Sequence, residues 1–238
     1  MIAVTGATGQ LGRLAVAELH ERLPARDAAE PVPARDVVAL SRPDVDYDRP
    51  ESLAAAFAGV TRLLFVSSPE PDPARRITQH RAVIDAAVAA GVEAVVYTSF
   101  HEIAGLFEAH GATEEALAGS GLAYTVLRNP FYTDPFLPPS GDLVHATGGQ
   151  PLNTAYRQDL AEAAVTALLS DRHTGRRYDL TGPLWTFPQF ASSRGVVARE
   201  GDVAGPMGWL HSLARAGRLS HQTPDLAELL GRPARAPH

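Results

Sequence analysis

The chain has 238 residues, 45% of them hydrophobic and 20% charged. These values suit a single globular core with or without a small appendage, and they exclude collagen-like and disordered classes. A formal net charge of -6, with the arginines scattered, argues against nucleic acid as a partner, because a phosphate backbone needs a clustered basic surface. The absence of cysteine removes disulfides, thiolate catalysis and cysteine-based metal sites.

The chain starts MIAVTG, without a basic leader or apolar signal core, and no stretch approaches the roughly 20 apolar residues of a membrane span. A cytoplasmic protein with no membrane partner is the expectation. Ile2-Ala3-Val4 is apolar on both faces, as a buried parallel strand should be. TGATGQLG (5–12) follows. Gly6 permits a tight turn out of the strand, Gly9 lets the backbone approach a pyrophosphate, and Gly12 allows the next helix to pack closely. The helix N-terminus adds free N–H groups and a positive dipole end, so the loop can cradle an anion. A plain glycine-rich turn is the other reading, but the position between strand and helix favours nucleotide binding.

The helix places Leu11, Leu14, Ala15 and Leu19 on one face, and a Pro- and Ala-rich connection (21–36) leads to the strand Val37–Leu40. That strand ends in Ser41-Arg42. An acidic residue at this tip favours a free ribose hydroxyl, whereas an arginine accepts a 2′-phosphate. Arg42 points to NADPH rather than NADH, with a solvated surface arginine as the alternative. Only Pro43, Asp44 and Val45 separate it from Asp46-Tyr47-Asp48, and a parallel crossover needs a dozen or more residues. The second crossover helix is therefore expected to be shortened or missing, and the edge strand shortened or absent.

A strand at Leu63–Val66 and a helix over Ala74–Ala90 come next, the helix carrying Ile77, Val83, Ile84, Ala87 and Val88 before Gly91 stops it. Ala94–Tyr97 and Tyr124–Leu127 are two further strands. A helix opens at Asp159, a good N-cap, and runs to Leu169, followed by the strand-like YDLTG (178–182). The alternation predicts an α/β, Rossmann-like, doubly wound parallel sheet over 1–182. The texture changes at Pro183, so 183–238 is expected to form a small C-terminal lobe over the substrate cleft, with helical patterns near Met207–Arg215 and Pro224–Leu230.

TGATGQLGR, DYDRPESLAAAFAGV, LLFVSSP, QHRAVIDAAVAAGV, VVYTSF, ATEEALAGSGLAYTVLRNPFYT and RQDLAEAA together resemble the NmrA-like group of atypical short-chain dehydrogenases/reductases, and most of all its NAD(P)H:quinone oxidoreductase branch. The resemblance covers roughly 1–182 and touches AGRLSHQTPDLAELLGRPAR near the end. It implies NADPH held by Thr8, Gly9, Gln10, Leu11 and Arg42, with the adenine beside Asp46 and Tyr47. It further implies Ser67 and Ser68 along the ribose and pyrophosphate, and Thr98, Ser99 and Phe100 near the nicotinamide. The segment 191–206 is shorter than the helix-plus-strand of the family, so substrate choice transfers least.

Ordinary members of the wider superfamily use a Tyr-x-x-x-Lys pair, in which the lysine lowers the tyrosine pKa for proton donation. This chain has no lysine. Laid over that helix, HGATEEAL (110–117) puts His110 at the tyrosine and Glu114 at the lysine. At spacing i, i+4 they share a face, where a carboxylate can hold an imidazole ready to protonate a reduced oxygen. The alternative is a histidine that caps or packs, with the glutamates solvated. A quinone acceptor asks little of such an acid, since hydride addition gives a stabilised phenolate, and orientation on a dry stacking surface matters more. Phe131 and Tyr132, after the last central strand, are candidates for that platform, Phe131 with core packing as its alternative. His101 and Trp185 are weaker candidates. His20, His173, His211, His221 and His238 have no metal-ligand spacing, and no metal is expected.

The expectation is an NADPH-dependent oxidoreductase that reduces a quinone-like or conjugated carbonyl small molecule, with a homodimer left open. The rivals are a nucleotide-sensing regulator without catalysis and a redox-neutral enzyme in a remodelled cleft.

Overall fold

A computed structural model describes residues 1–23, 37–103, 105–137 and 141–237. Strands and helices alternate from the start: β1 (Ile2–Thr5), α1 (Gln10–Arg22), β2 (Val37–Leu40), α2 (Pro50–Ala56), β3 (Arg62–Val66), α3 (Pro73–Ala89), β4 (Ala94–Phe100), α4 (Glu108–Gly119) and β5 (Ala123–Asn129). They are followed by β6 (Leu143–His145), α5 (Arg157–Leu168), β7 (Arg177–Asp179), α6 (Phe187–Arg194), β8 (Ala198–Glu200), α7 (Gly205–Arg215) and α8 (Asp225–Leu230). Of the connection expected over 21–36, the first residues continue α1, and residues 24–36 lie outside the described ones.

Six strands form one sheet in the order β2-β1-β3-β4-β5-β7. β1 pairs in parallel with β2 and β3, Ile2 lying against both Val37 and Arg62 and Val4 against both Ala39 and Leu64. Strands in the middle of such a sheet meet helices on both faces and read as unbroken apolar runs. Ile2, Ala3, Val4, Leu63, Leu64 and Phe65 are accordingly buried. β2 is the edge, and its burial is partial. Between β2 and β3 the chain makes no further strand and only α2, a helix of seven residues. The shortened crossover is thus observed, and among the described residues no strand flanks β2 on its outer side. α2 is secured by Pro50 in its first turn and by Leu53 and Phe57, both buried.

α3 has a strong start, because Asp72 caps it by accepting from the amides of Ala74 and Arg75, and Pro73 takes the first helical position. Its buried stripe is Gln79, His80, Val83, Ile84 and Ala87. The expected apolar face included Ile77 and Val88, yet Val88 is 46% exposed and Ile77 only half-buried. The helix is rotated so that two polar residues face inward, where hydrogen bonds satisfy them.

A second correction concerns α5, which opens at Arg157, so Asp159 lies inside its first turn and is not the N-cap. The Asp159 side chain is fully buried and pairs with Arg232 Nη2 at 2.9 Å and with Arg235.

The chain divides into two compact units, one of residues 1–128 and 160–178, the other of 129–159 and 179–238. The second resumes close to the boundary expected after 182 but also takes in 129–159. The first unit is built on a core that includes Phe57, Leu63, Phe65, Tyr97 and Leu117. The second contains a parallel pair that sequence periodicity did not reveal, β6 with β8, where Leu143 faces Ala198 and His145 faces Glu200. Three-residue strands are too short to show a period. An aromatic cluster joins Phe136, Trp185, Phe187 and Phe190 beside His145 and His211.

Candidate functional site

The loop between β1 and α1 explains its own glycines. Gly6 has φ +60, a left-handed value that a side chain rarely tolerates. A Cβ on Gly12 would lie 2.3 Å from the Gly6 carbonyl oxygen, closer than any van der Waals contact, so helix and loop can approach only with hydrogen at that position. The Gly9 amide donates to the Gly6 carbonyl at 2.9 Å and tightens the turn. Gly9 is also the N-cap of α1, with no side-chain cap and no acidic residue in the first turn. The first amides of the helix are therefore left for an outside acceptor, and the dipole makes an anion the favoured one. Thr8, Gly9 and Gln10 are exposed, whereas Leu11 is buried. Leu11 can serve a ligand only through its amide.

Arg42 is exposed and makes no ion pair or hydrogen bond with another described residue. The segment behind it is tied down. Asp46 accepts from the Asp48 amide at 3.1 Å and pairs with Arg49 at 3.4 Å. Tyr47 donates its hydroxyl to the Val66 carbonyl at 2.9 Å and sets its ring edge-on to Phe65, and burial pushes its pKa up. Tyr47 is thus largely engaged by the core.

At the end of β3 the Ser67 amide donates to Thr98 Oγ1 at 3.0 Å. The Ser68 amide donates to His80 Nε2 at 2.9 Å, while its hydroxyl bonds Gln79 Oε1. Gln79 Nε2 continues to Asp48 at 3.0 Å, and Arg75 holds that carboxylate in turn at 2.8 Å. The Arg75 and Gln79 hydrogen bonds lower the pKa of Asp48. The Ser68 hydroxyl is therefore committed inward. The residues that shape this strand end, Gln79 and His80, were missed because polar residues in a helical stripe look like a solvated face; their adjacency to apolar Val83 and Ile84 was the available signal.

The expected His110–Glu114 couple does not form. Glu114, 3% exposed, accepts from Ser99 Oγ at 2.6 Å and from Arg128 Nε and Nη2 at 3.0 and 2.8 Å, and Arg177 lies 3.4 Å away. This is a buried carboxylate held by guanidinium groups, and a buried charge demands such partners. His110 turns to Tyr97, its Nδ1 2.8 Å from the hydroxyl, and its Nε2 faces Arg76 Nη1 at 3.4 Å. Burial, aided by the Arg76 charge, pushes the His110 pKa down to about 4. Such an imidazole is neutral at pH 7 and lacks a carboxylate to charge it. Phe100, half-buried, contributes a ring 6.1 Å from that of His110.

Tyr132 belongs to the second unit. Its ring lies under Arg157, 4.1 Å from the guanidinium carbon, and burial raises its pKa against the opposing pull of Arg157. The phenol keeps its proton at neutral pH. Phe131 packs edge-on against Trp209, itself 44% exposed. Trp185, a weaker candidate, is buried and donates to Thr154 Oγ1 at 2.7 Å. No helix among the described residues is long and apolar enough to cross a membrane, and no group of three His, Asp or Glu among them converges as a metal site.

Residues 6–171 match the NAD(P)H-binding family. The chain is 37% identical over 209 residues to quinone oxidoreductase 2 of Escherichia coli strain K12, covering 81% of this chain and 72% of that protein. The NADPH complex of that Escherichia coli enzyme aligns over 99% of this chain and 96% of its own, with TM-score 0.82 and 31% identity. The NADP(H) complex of a Citrobacter triphenylmethane reductase aligns over 98% and 96%, with TM-score 0.85 and 32% identity. NmrA, a negative transcriptional regulator solved with NAD, shares the fold at TM-score 0.71 and 16% identity over 99% of this chain and 92% of its own.

Proposed function

The chain belongs to the NAD(P)H-binding, NmrA-like family, and from that premise we propose that it is an NADPH-dependent oxidoreductase acting on a quinone-like or conjugated carbonyl acceptor. The observation that carries the reading is the uncapped N-terminus of α1 behind a loop that only glycine fits at position 12. That surface suits a pyrophosphate, and the open guanidinium of Arg42 suits a 2′-phosphate. When bound, NADPH supplies the hydride.

The chain's own part in the chemistry is mainly to bind and orient. The amides of residues 10–12 meet the pyrophosphate, Thr8 and Gln10 border it, and Arg42 selects the phosphorylated cofactor. His110 is not the acid, because its Nε2 faces a guanidinium and its proton affinity is depressed. A quinone tolerates this, since its phenolate product takes a proton from water. Tyr132, protonated and without a hydrogen-bond partner among the described residues, is the side chain we assign to contact the acceptor. A regulator that only senses the dinucleotide is the second reading, favoured by the missing acid–base pair. Consumption of NADPH with a panel of quinones separates the two. Turnover that disappears in Gly9→Asp is expected; binding of NADPH without turnover on any quinone would leave the regulator.

A further inference from the structure

Behind the ends of β3 and β4, α3 and α4 enclose polar side chains whose proton positions can be assigned. Two donors fix the pattern because they cannot accept. The Ser68 amide points at His80 Nε2 over 2.9 Å, so that nitrogen is bare and the proton sits on Nδ1. His80 Nδ1 lies 2.8 Å from Thr113 Oγ1, whose own proton goes to the Ala109 carbonyl at 2.7 Å. Arg76 Nη1 likewise only donates, and it faces His110 Nε2 at 3.4 Å. His110 therefore also carries its proton on Nδ1 and gives it to the Tyr97 oxygen at 2.8 Å. The Tyr97 oxygen also lies 3.3 Å from His80 Nδ1, so it faces both imidazole N–H groups. Both imidazole protons then have an acceptor, as do the Ser68 amide and the Arg76 guanidinium. Reversing either histidine would set two N–H groups face to face.

We propose that His80 is a positioning residue for the cofactor: its bare Nε2 holds the Ser68 amide while Gln79 holds the Ser68 hydroxyl, fixing the backbone at Ser67–Ser68, which is expected along the ribose and pyrophosphate and is bonded through the Ser67 amide to Thr98, expected near the nicotinamide of NADPH. The inference rests on the NADPH-binding reading above. A buried amide without a partner is costly, and an apolar residue at position 80 would leave Ser68 in that condition. The neighbouring residue completes the arrangement, because Gln79 Nε2 reaches Asp48 at 3.0 Å. One turn of α3 thereby links the strand end to the segment that follows Arg42. His80 does this without touching the reacting atoms.

The test uses the full chain and two ligands. NADPH spans both halves of the site, whereas adenosine 2′,5′-bisphosphate carries only the half assigned to the glycine loop and Arg42. His80→Leu is expected to weaken NADPH roughly tenfold, the scale of one unsatisfied hydrogen bond, and to leave adenosine 2′,5′-bisphosphate unchanged in calorimetry. His80→Gln, whose amide oxygen stands near the place of Nε2, is expected to recover most of the NADPH affinity. Long-range proton–nitrogen NMR of the unmodified protein should show both His80 and His110 as Nδ1–H tautomers, a readout that survives if a variant does not fold. An Nε2–H tautomer at His80, undiminished NADPH affinity in His80→Leu, or equal loss for both ligands would overturn the proposal. Unmodified protein that binds neither ligand would instead overturn the NADPH reading itself, and the positioning role with it.

Discussion

Arg42 has no ion pair or hydrogen bond among the described residues, so its replacement is a direct report on the cofactor. Arg42→Ala is expected to weaken NADPH by roughly one to two decades, the effect of removing a charged partner from a phosphate, while NADH changes little in the same titration. Equal weakening of both would make Arg42 structural. At this scale the glycine loop was legible, because the left-handed turn at Gly6 and the close helix approach at Gly12 leave only glycine as an option. The partners of His110 and Glu114 were not. Spacing i, i+4 puts two side chains on one face, but it does not say which other groups compete for them. Here Arg128 and Ser99 take the carboxylate and Tyr97 takes the imidazole. Ion pairing in the interior satisfies the stronger demand first.

α3, β4 and α4 share the buried histidines, and their joint stability should depend on acidity. Burial, helped by His110 and Arg76, pushes His80 down to about 3, and His110 lies at about 4, against an ordinary 6.5 for each. Above pH 6.5 the imidazoles are neutral in both folded and unfolded chains. Below it the unfolded chain takes up protons that the folded chain refuses. Stability is therefore lost from pH 6.5 down to about 4 for His110 and about 3 for His80, at about 1.4 kcal/mol per pH unit for each. Urea midpoints measured at pH 7, 6 and 5 should fall more steeply for the unmodified protein than for His80→Gln; parallel lines would refute neutral burial. The boundaries of α3 followed from Asp72, Pro73 and Gly91, whereas its rotation depended on the polar partners that await Gln79 and His80.

At the scale of long-range contacts, the C-terminal residues return to Asp159, separated from it by some 73 positions of sequence at Arg232. Asp159 is buried there, and Arg232 and Arg235 are its cationic partners. Removing both in Arg232→Ala/Arg235→Ala leaves the buried carboxylate without a cation, only the amide of residue 235 among the described residues still donating to it, and should cost about 3–5 kcal/mol, read as a lowered denaturant midpoint. A single replacement should cost less, since the other guanidinium remains. A double variant as stable as the unmodified protein would mean that water reaches Asp159. Asp159 looked like an N-cap because short-range helix signals are satisfied by any Asp before an apolar run, and its actual partners arrive from far along the chain.

The sequence alone determined the strand–helix alternation, the glycine loop and the truncated crossover, since each depends on a few consecutive residues: apolar runs, glycines at fixed offsets, and too little chain for a second helix. Only the tertiary structure decided that His110 is a buried neutral ring, that Glu114 belongs to Arg128, and that Gln79 and His80 face inward to hold Ser68. Local patterns fix which face a residue shares, but the choice of partner follows from the cost of leaving any buried donor, acceptor or charge unpaired. That cost can be settled only when distant elements are in place.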